Sequence, residues 1–291
     1  MEYFVNRRKV FRGGGASYVL DDLSVGVAFA FSASRYLSTA YEGSPVLKLR
    51  EDNGNTTSDF KIVGGVLVTN DVNEYTVATW LTNASATNAY AQTWYDQSGN
   101  GNDVQQLTNA SQPLYVASWS NGRAALQNDA ALHLTTVSSF TGSNTLGVSC
   151  YVACEEVSSG WNGGIIGDPN ATTFGLRFNV QKPKYYADSS SLVETTSNVT
   201  RAPHLISYEG NAGAGAQTCT IRVDSVQDAT ASLVHDQRSG TWVLFNARAN
   251  PASTGEEFNG YIGELLYAKA EFSTGDRDIA EASLQAWSGT P

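Results

Sequence analysis

The stretch Thr145–Glu156 reads TLGVSCYVACEE and gives the clearest structural signal in the chain. Leucine, valine and cysteine occupy every second position from residue 146 to residue 154. Side chains of a β-strand point alternately to its two faces, so this period of two predicts a strand with one apolar face. Cys150 and Cys154 lie on that face, and Cys219 lies in line with apolar residues of a later segment. We interpret all three as small buried apolar residues rather than as metal ligands or redox groups.

Strand patterns dominate the chain after residue 89, and turns rich in glycine and asparagine separate them, as at residues 98–101 and 161–164. Strands at this spacing predict an all-β sandwich or jelly roll. The segment Tyr261–Phe272 is apolar on both faces, which predicts a strand in the middle of a sheet. We expect residues 16–90, whose pattern is mixed, to complete the same sandwich; the alternative is a separate small α+β lobe.

A few short helices are predicted within this β-rich chain. Ser273 and Asp276 form a capping box, an apolar stripe follows, and Gly289 ends the pattern, which predicts a C-terminal helix. Apolar residues at helical spacing predict another helix over residues 30–41. An acidic residue three positions after Asp71 predicts a further helix that starts near this position.

The charge balance limits the classes of partner. The chain has 291 residues with 18 Lys and Arg against 28 Asp and Glu, a formal net charge of −10. Nucleic-acid binding needs clustered cations, so we expect no nucleic-acid partner. The best apolar run, Val25–Phe31, falls well short of the ~20 residues of a membrane span, so we expect no membrane partner. The chain start lacks the pattern of a signal peptide and the cysteines are sparse, so we expect folding in a cytoplasm.

The N-terminal residues differ from the rest of the chain in charge. Arg7, Arg8, Lys9 and Arg12 stand against a single acid there, whereas the rest of the chain is acidic. Three consecutive glycines follow at residues 13–15 and predict a flexible hinge. We therefore divide the chain into a basic glycine-rich arm, residues 1–15, and a body, residues 16–291. The arm is predicted to bind a partner with an acidic surface, and the alternative is a frayed terminus with incidental charges.

Glycosidases need two carboxylates near the scissile bond, and the sequence offers no such pair at strand spacing. No E-x-D or E-x-E occurs, and Glu155 and Glu156 are adjacent, so they face opposite sides of their strand. Distant strands could bring Glu209 together with Asp224 or Glu264, but no motif singles these acids out. The histidines have no nucleophile-elbow serine beside them. We therefore predict no catalytic residues and a protein that is not an enzyme.

Residues 96–103, DQSGNGND, form the one segment with the pattern of a metal loop. Asp96, Ser98 and Asn100 place side-chain oxygens at positions 1, 3 and 5, with glycine at position 6, as in the first half of a calcium loop. The acid expected at position 12 is replaced by Leu107. The alternative is a turn in which these side chains bond their own backbone. We expect no cofactor, with calcium at this loop as the single exception to consider.

Two segments and the arm carry a family resemblance. The segment Trp94–Asn102 reads WYDQSGNGN and follows Pro45–Arg50, PVLKLR. The segment Phe258–Tyr267 reads FNGYIGELLY and precedes the C-terminal helix. Together with the basic arm, these segments resemble the concanavalin-A-like (laminin-G-like) jelly-roll proteins of tailed-bacteriophage virions. They resemble the arabinofuranosidase-B catalytic domain more distantly.

The resemblance implies a concanavalin-A-like jelly roll and a non-enzymatic accessory role in the virion, as a head decoration, a fibre or a tail-associated protein. Its implied partners are other virion proteins and further copies of the chain, and its implied location is the virion, assembled in the host cytoplasm. One alternative is a carbohydrate-binding module for receptor recognition, in which Trp119 and Trp161 stack on a host-surface glycan. The other is a glycoside hydrolase of the arabinofuranosidase type.

Overall fold

The computed structural model describes residues 18–129, 132–139, 146–158, 163–167, 175–179, 181–186, 192–234, 240–246 and 257–289. The strands are β1 (Phe29–Ser32), β2 (Leu47–Glu51), β3 (Thr57–Val63), β4 (Val66–Thr69), β5 (Ala89–Trp94), β6 (Val104–Gln105), β7 (Leu114–Val116), β8 (Ala125–Asn128), β9 (Leu134–Thr136), β10 (Val148–Glu156), β11 (Gly163–Gly167), β12 (Gly175–Asn179), β13 (Lys182–Tyr186), β14 (Leu192–Glu194), β15 (His204–Gly210), β16 (Ala216–Val223), β17 (Val226–Val234), β18 (Val243–Leu244) and β19 (Gly260–Ala268). The α-helices are α1 (Val19–Asp22), α2 (Val77–Asn83) and α3 (Thr274–Ser288), with 3-10 turns at Thr39–Tyr41 and Asn109–Ser111.

These strands pair antiparallel and form a sandwich. In one layer, β10 lies between β15 and β19, and β15 continues to β16 and β17. β19 also pairs with β1 and β8, and β8 pairs with β7. The other layer runs in the order β4, β3, β2, β5, β6, β9, β18, β11, β12, β13 and β14. A pairing between β5 and β7 joins the layers. The predicted all-β sandwich with a few short helices is confirmed.

The core lies between the layers, and β10 runs along it. Val148, Cys150, Val152 and Cys154 are at most 1% exposed and belong to one apolar cluster with Cys219. All three cysteines are buried and none of them forms a disulfide. Burial raises the pKa of the Cys150 thiol to about 12, so the thiol stays protonated and unreactive at neutral pH. The prediction that the cysteines act as small apolar residues is confirmed.

The opposite face of β10, β15 and β19 is covered by α3, and we call it the helix-covered face. Tyr151, Leu205 and Leu266 from these strands pack in one buried cluster with Ala280 and Leu284 of the helix. Burial of this second apolar face fixes α3 against the sandwich, because an amphipathic helix of this length gains most of its stability from packing.

The C-terminal helix has the ends that the sequence predicts. The Ser273 hydroxyl oxygen accepts the N–H of Asp276 at 3.1 Å and caps the start of α3. Gly289 adopts a left-handed conformation with φ of 70° and ends the helix, a role that glycine fills without steric cost. The prediction of this helix is confirmed.

The helix predicted over residues 30–41 is wrong. Its first residues belong to β1, which pairs with β19 from the far end of the chain. Phe29 and Phe31 are buried in the core, and the Phe29 ring stacks on Tyr267 with centroids 4.8 Å apart. These long-range contacts override the local helical spacing.

The second helix, α2, begins later than the sequence predicts. Thr76 caps it by accepting the N–H of Thr79 on its side-chain oxygen at 3.2 Å. Asp71 instead accepts the N–H groups of Asn73 and Glu74 and forms a turn. An acid at the start of a capping-box pattern therefore closes a turn here rather than a helix.

Candidate functional site

A cleft of about 500 Å³ gathers polar side chains around one aromatic ring, and we call it the Tyr90 cleft. It is lined by Arg50, Asp52, Tyr90, Asn109, Ala110, Gln112, Leu114, Asp129 and Leu132. The lining therefore combines two carboxylates, one guanidinium and two side-chain amides with apolar surface. Strands β2, β5 and β7 supply three of these positions, which places the cleft where the two layers join.

Arg50 is the most firmly held group of the cleft. Its Nε donates to the Gln112 side-chain oxygen at 2.6 Å, and its Nη1 donates to the Asn55 side-chain oxygen at 2.7 Å. Its Nη2 donates to the Asn109 carbonyl at 3.3 Å. The guanidinium also lies 4.9 Å from the centroid of the Tyr90 ring, a cation–π distance. These contacts fix the guanidinium and the ring as one rigid unit.

Asp52 and Asp129 bring negative charge to this unit. Asp52 follows β2 and accepts the backbone N–H groups of Thr87 and Asn88 at 2.9 and 3.1 Å, with the Asn88 side-chain amide donating as well. These hydrogen bonds stabilise the charged form and hold the pKa of Asp52 below its usual value. Asp129 follows β8 and is exposed. Two carboxylates from different parts of the chain thus share one cleft.

A tight turn after β2 places Asp52. Burial alone would raise the pKa of Glu51, but hydrogen bonds from Thr56, Asn53 and Gly54 hold it below its usual value. Asn55 adopts φ of 58°, a left-handed conformation that asparagine tolerates better than most residues. The ionised Glu51 carboxylate therefore organises the turn at residues 51–56 by accepting hydrogen bonds from the backbone amides of that turn.

The arrangement suits the recognition of a polyhydroxylated ring. Tyr90 and Leu114 offer an apolar surface, and carboxylate, amide and guanidinium groups around it offer hydrogen-bond acceptors and donors. Ligand sites commonly combine a mainly apolar wall with a few convergent polar groups. A pair of carboxylates adds the capacity for proton transfer to and from a bound ligand.

The sequence-predicted partner and glycan residues fall in two groups. The arm residues Arg7, Arg8, Lys9 and Arg12 and the indole of Trp161 lie outside the described residues, so their roles stay predictions. Trp119 is described: its ring stacks on that of Tyr261 with centroids 6.3 Å apart, and its Nε1 donates to the Glu155 carboxylate at 2.6 Å. It lies outside the Tyr90 cleft, and its role in glycan binding also stays a prediction.

The loop at residues 96–103 is bonded to its own chain. Asp96 accepts the N–H groups of Ala30 and Ser98, both at 2.9 Å, and the Ser98 hydroxyl at 2.8 Å. The Asn100 amide donates to the carbonyl of Val27 at 2.8 Å. No group of three or more acidic, histidine or cysteine side chains that could hold a metal ion occurs in the part of the chain that the structure describes. Calcium binding by Asp96, Ser98 and Asn100 remains an untested prediction.

The acids that the sequence offered for catalysis are not the acids of the Tyr90 cleft. Each of the three pairs with a basic side chain: Glu264 with Arg35, Glu209 with Arg222 and Asp224 with His204. The sequence analysis missed Asp52 and Asp129, because they belong to no motif. The sequence DNGN at residues 52–55 is typical of a turn, and it is the local signal that points to this region of the cleft.

The comparisons with known proteins support the fold. No protein-family model matches the chain, and no curated protein matches it. Among solved structures, an arabinofuranosidase in complex with arabinofuranosyl-α-1,2-xylobiose superposes with a TM-score of 0.66 at 12% sequence identity, covering 94% of this chain and 65% of that chain. A family 54 α-L-arabinofuranosidase soaked with a cyclic sulfate inhibitor superposes with a TM-score of 0.66 at 14% identity, covering 94% of this chain and 66% of that one. The chain thus spans slightly less than two thirds of these enzymes.

These similarities correct two predictions. The prediction that the protein is not an enzyme is corrected, because the solved structures that share its fold are arabinofuranosidases and this fold therefore does not exclude an enzyme. The closer resemblance to virion jelly rolls has no support, since the structures reported above are arabinofuranosidases. The more distant resemblance to arabinofuranosidases is confirmed at the level of the fold.

No helix within the described ranges is both long enough and apolar enough to span a membrane.

Proposed function

We propose that the protein is a carbohydrate-active domain whose Tyr90 cleft binds a glycan and hydrolyses a glycosidic bond in it. The observation that carries this proposal is the pair Asp52 and Asp129, which lie in one open cleft beside an aromatic ring. Two carboxylates flanking the scissile bond are the common machinery of glycoside hydrolysis. The sandwich shared with arabinofuranosidases supports the choice of reaction class.

The two carboxylates receive different roles. Hydrogen bonds from Thr87 and Asn88 lower the pKa of Asp52, so it stays ionised at neutral pH, as a nucleophile or a general base requires. Asp129 lines the same cleft from the end of β8, so it takes the remaining role of the two-carboxylate mechanism, proton transfer at the leaving group. Tyr90 and Leu114 supply the surface on which the sugar ring rests.

The substrates to test first are α-L-arabinofuranosides, because a similar structure is described with an arabinofuranosyl-xylobiose ligand. We expect the protein to hydrolyse 4-nitrophenyl α-L-arabinofuranoside. Asp52→Asn and Asp129→Asn are each expected to lower kcat/KM by about 100-fold or more. Tyr90→Ala is expected to act mainly through KM, because it removes binding surface and no reacting group.

Matched controls keep the test specific. Asp278→Asn removes a carboxylate that is exposed on α3 and is not among the residues that line the cleft, so it should leave the rate unchanged. Trp119→Ala tests the alternative glycan surface: loss of binding in this variant, with Tyr90→Ala unaffected, would contradict the proposal. Hydrolysis that persists in both Asp52→Asn and Asp129→Asn would contradict it as well. Circular dichroism melting confirms that each variant is folded.

A further inference from the structure

A second, separate cavity of about 260 Å³ lies between the β3–β4 hairpin, the start of α2 and the β7–β8 connection. We call it the Arg123 cavity. Ser34, Thr76 and Tyr115 bring hydroxyl groups to it, and Val66 and Val77 bring apolar surface. None of the residues that line it is acidic, and none of them also lines the Tyr90 cleft. Any ligand of this cavity is therefore independent of the proposed function.

Arg123 is the only charged residue that lines this cavity, and its guanidinium has no acidic partner in the described structure. It lies face-on over the Trp287 ring, 3.7 Å from the ring centroid. Its Nε is buried and has no hydrogen-bond partner. In a chain of net charge −10, this arginine stacks on an aromatic ring, and none of the described carboxylates neutralises its positive charge at the cavity.

The guanidinium is held in place by a series of fixed contacts. Trp287 donates from Nε1 to the Ser34 hydroxyl at 2.9 Å. Arg35 lies 5.1 Å from the same ring and is itself fixed by hydrogen bonds of 2.7 and 2.8 Å to the Glu264 carboxylate. The Trp287 platform under Arg123 is therefore rigid, which reduces the entropy lost when a ligand binds.

The backbone of Arg123 is also fixed. Arg123 accepts the N–H of Trp119 on its carbonyl at 2.7 Å and donates its own N–H to the Ser120 carbonyl at 2.8 Å. Asn121 and Gly122, which lie between Ser120 and Arg123, have φ of 51° and 68°. Two successive positive φ angles are typical of a two-residue hairpin turn of type I′. A tight turn of this type leaves little freedom for the residue that follows it.

We propose that the Arg123 cavity binds a single sugar ring that carries a carboxylate, such as a hexuronate. The carboxylate pairs with the terminal nitrogens of the guanidinium, since planar guanidinium groups bind carboxylates with charge-assisted hydrogen bonds. The hydroxyls of Ser34 and Thr76 face the ring hydroxyls, and Val66 and Val77 contact the ring carbons. The volume lies below the about 300–1,000 Å³ typical of sites for drug-sized ligands, which limits the occupant to about one ring.

The test compares three probes on the full chain by calorimetry or by NMR titration: sodium glucuronate, glucose and sodium acetate. Glucuronate is expected to bind in the millimolar range, and glucose, which lacks the carboxylate, at least about tenfold more weakly. Acetate lacks the ring and is also expected to bind at least about tenfold more weakly than glucuronate. Equal binding of acetate and glucuronate would overturn the proposal, because it would show a simple carboxylate site for free anions.

Variants assign the binding to Arg123. Arg123→Gln should weaken glucuronate binding by about tenfold or more, and Arg123→Lys, which keeps the charge but not the planar fork, should give an intermediate loss. Lys182→Gln is the matched control, since it removes one partly exposed cation that pairs with Glu194 in a different region of the sandwich. Loss of binding in the control, or unchanged binding in Arg123→Gln, would overturn the proposal. Thermal melting of each variant verifies the fold.

Discussion

The helix-covered face and the Tyr90 cleft both gather charged side chains, but they differ in the partners of these charges. On the helix-covered face, Arg35 forms two hydrogen bonds with Glu264, and Glu209 bonds both Arg222 and the Tyr151 hydroxyl. In the cleft, both carboxylate oxygens of Asp52 accept hydrogen bonds from the amides of Thr87 and Asn88 rather than from a basic side chain, and Asp129 makes no ion pair with described residues.

The difference separates charges that hold the fold from charges that are available to a ligand. A buried charge is costly unless a partner neutralises it, so Arg35 and Glu264, both nearly inaccessible, have to be paired. Exposed carboxylates bear no such cost and stay free for other contacts. A paired acid is therefore a poor candidate for chemistry here, however close to a motif it lies in the sequence.

The largest effect is expected when one partner of the buried pair is removed. Arg35→Met leaves the Glu264 carboxylate 1% exposed and without its cation. The expected loss is about 3–5 kcal/mol of unfolding free energy, measured by urea denaturation at neutral pH. The double variant Arg35→Met with Glu264→Leu should regain most of that loss, because no charge is then left buried. A single variant as stable as the wild type would refute the distinction between the two regions.

A smaller effect on the unfolding free energy is expected at Glu156. This buried acid belongs neither to the ion pairs of the helix-covered face nor to the Tyr90 cleft. It is 4% exposed, and its Oε2 has no hydrogen-bond partner. Burial raises its pKa from an ordinary value of 4.5 to about 7, against the backbone N–H of Gln181 and the charge of Arg201, which lower it. The folded protein therefore binds more protons than the unfolded chain between these pH values, and its stability falls as the pH rises through that range.

Glu156→Gln should remove this pH dependence. The variant is expected to be about 3 kcal/mol more stable than the wild type at pH 8 and nearly equal to it at pH 4, where the native carboxyl is already neutral. Urea denaturation across this range measures the difference. Glu42→Gln, at an exposed glutamate, serves as the control and should change little at any pH. If the difference in unfolding free energy between Glu156→Gln and the wild type were the same at every pH, burial would not perturb the pKa of this acid.

Local signals in the sequence predict those parts of the fold that depend on local contacts. The period of two in residues 146–154 predicts β10, and the capping box and terminal glycine predict α3, because each signal lies within the element it describes. β1 was misread as a helix because its strand conformation depends on pairing with β19, whose residues lie at the other end of the chain.

The Tyr90 cleft was beyond prediction for the same reason. Arg50 and Asp52 come from β2 and its turn, Tyr90 from β5, and Asp129 from the end of β8. No spacing rule connects these positions, since only the joining of the layers through β5 and β7 brings them to one place. The buried acids near recognisable segments drew attention instead, and the structure uses them as paired structural charges.

The smallest effect on the unfolding free energy is expected at the start of α3. It tests how firmly this helix is held on the helix-covered face. Ser273→Ala removes the hydroxyl that accepts the Asp276 N–H, and the expected loss is about 1 kcal/mol of unfolding free energy. Gly275→Ala, two positions on, is the matched control of opposite sign. An added Cβ there meets only the Ser273 hydroxyl at 3.7 Å, so alanine should stabilise the helix by about 0.5 kcal/mol. If both variants changed the unfolding free energy by the same amount, the start of α3 would contribute nothing to the packing of this helix on the helix-covered face.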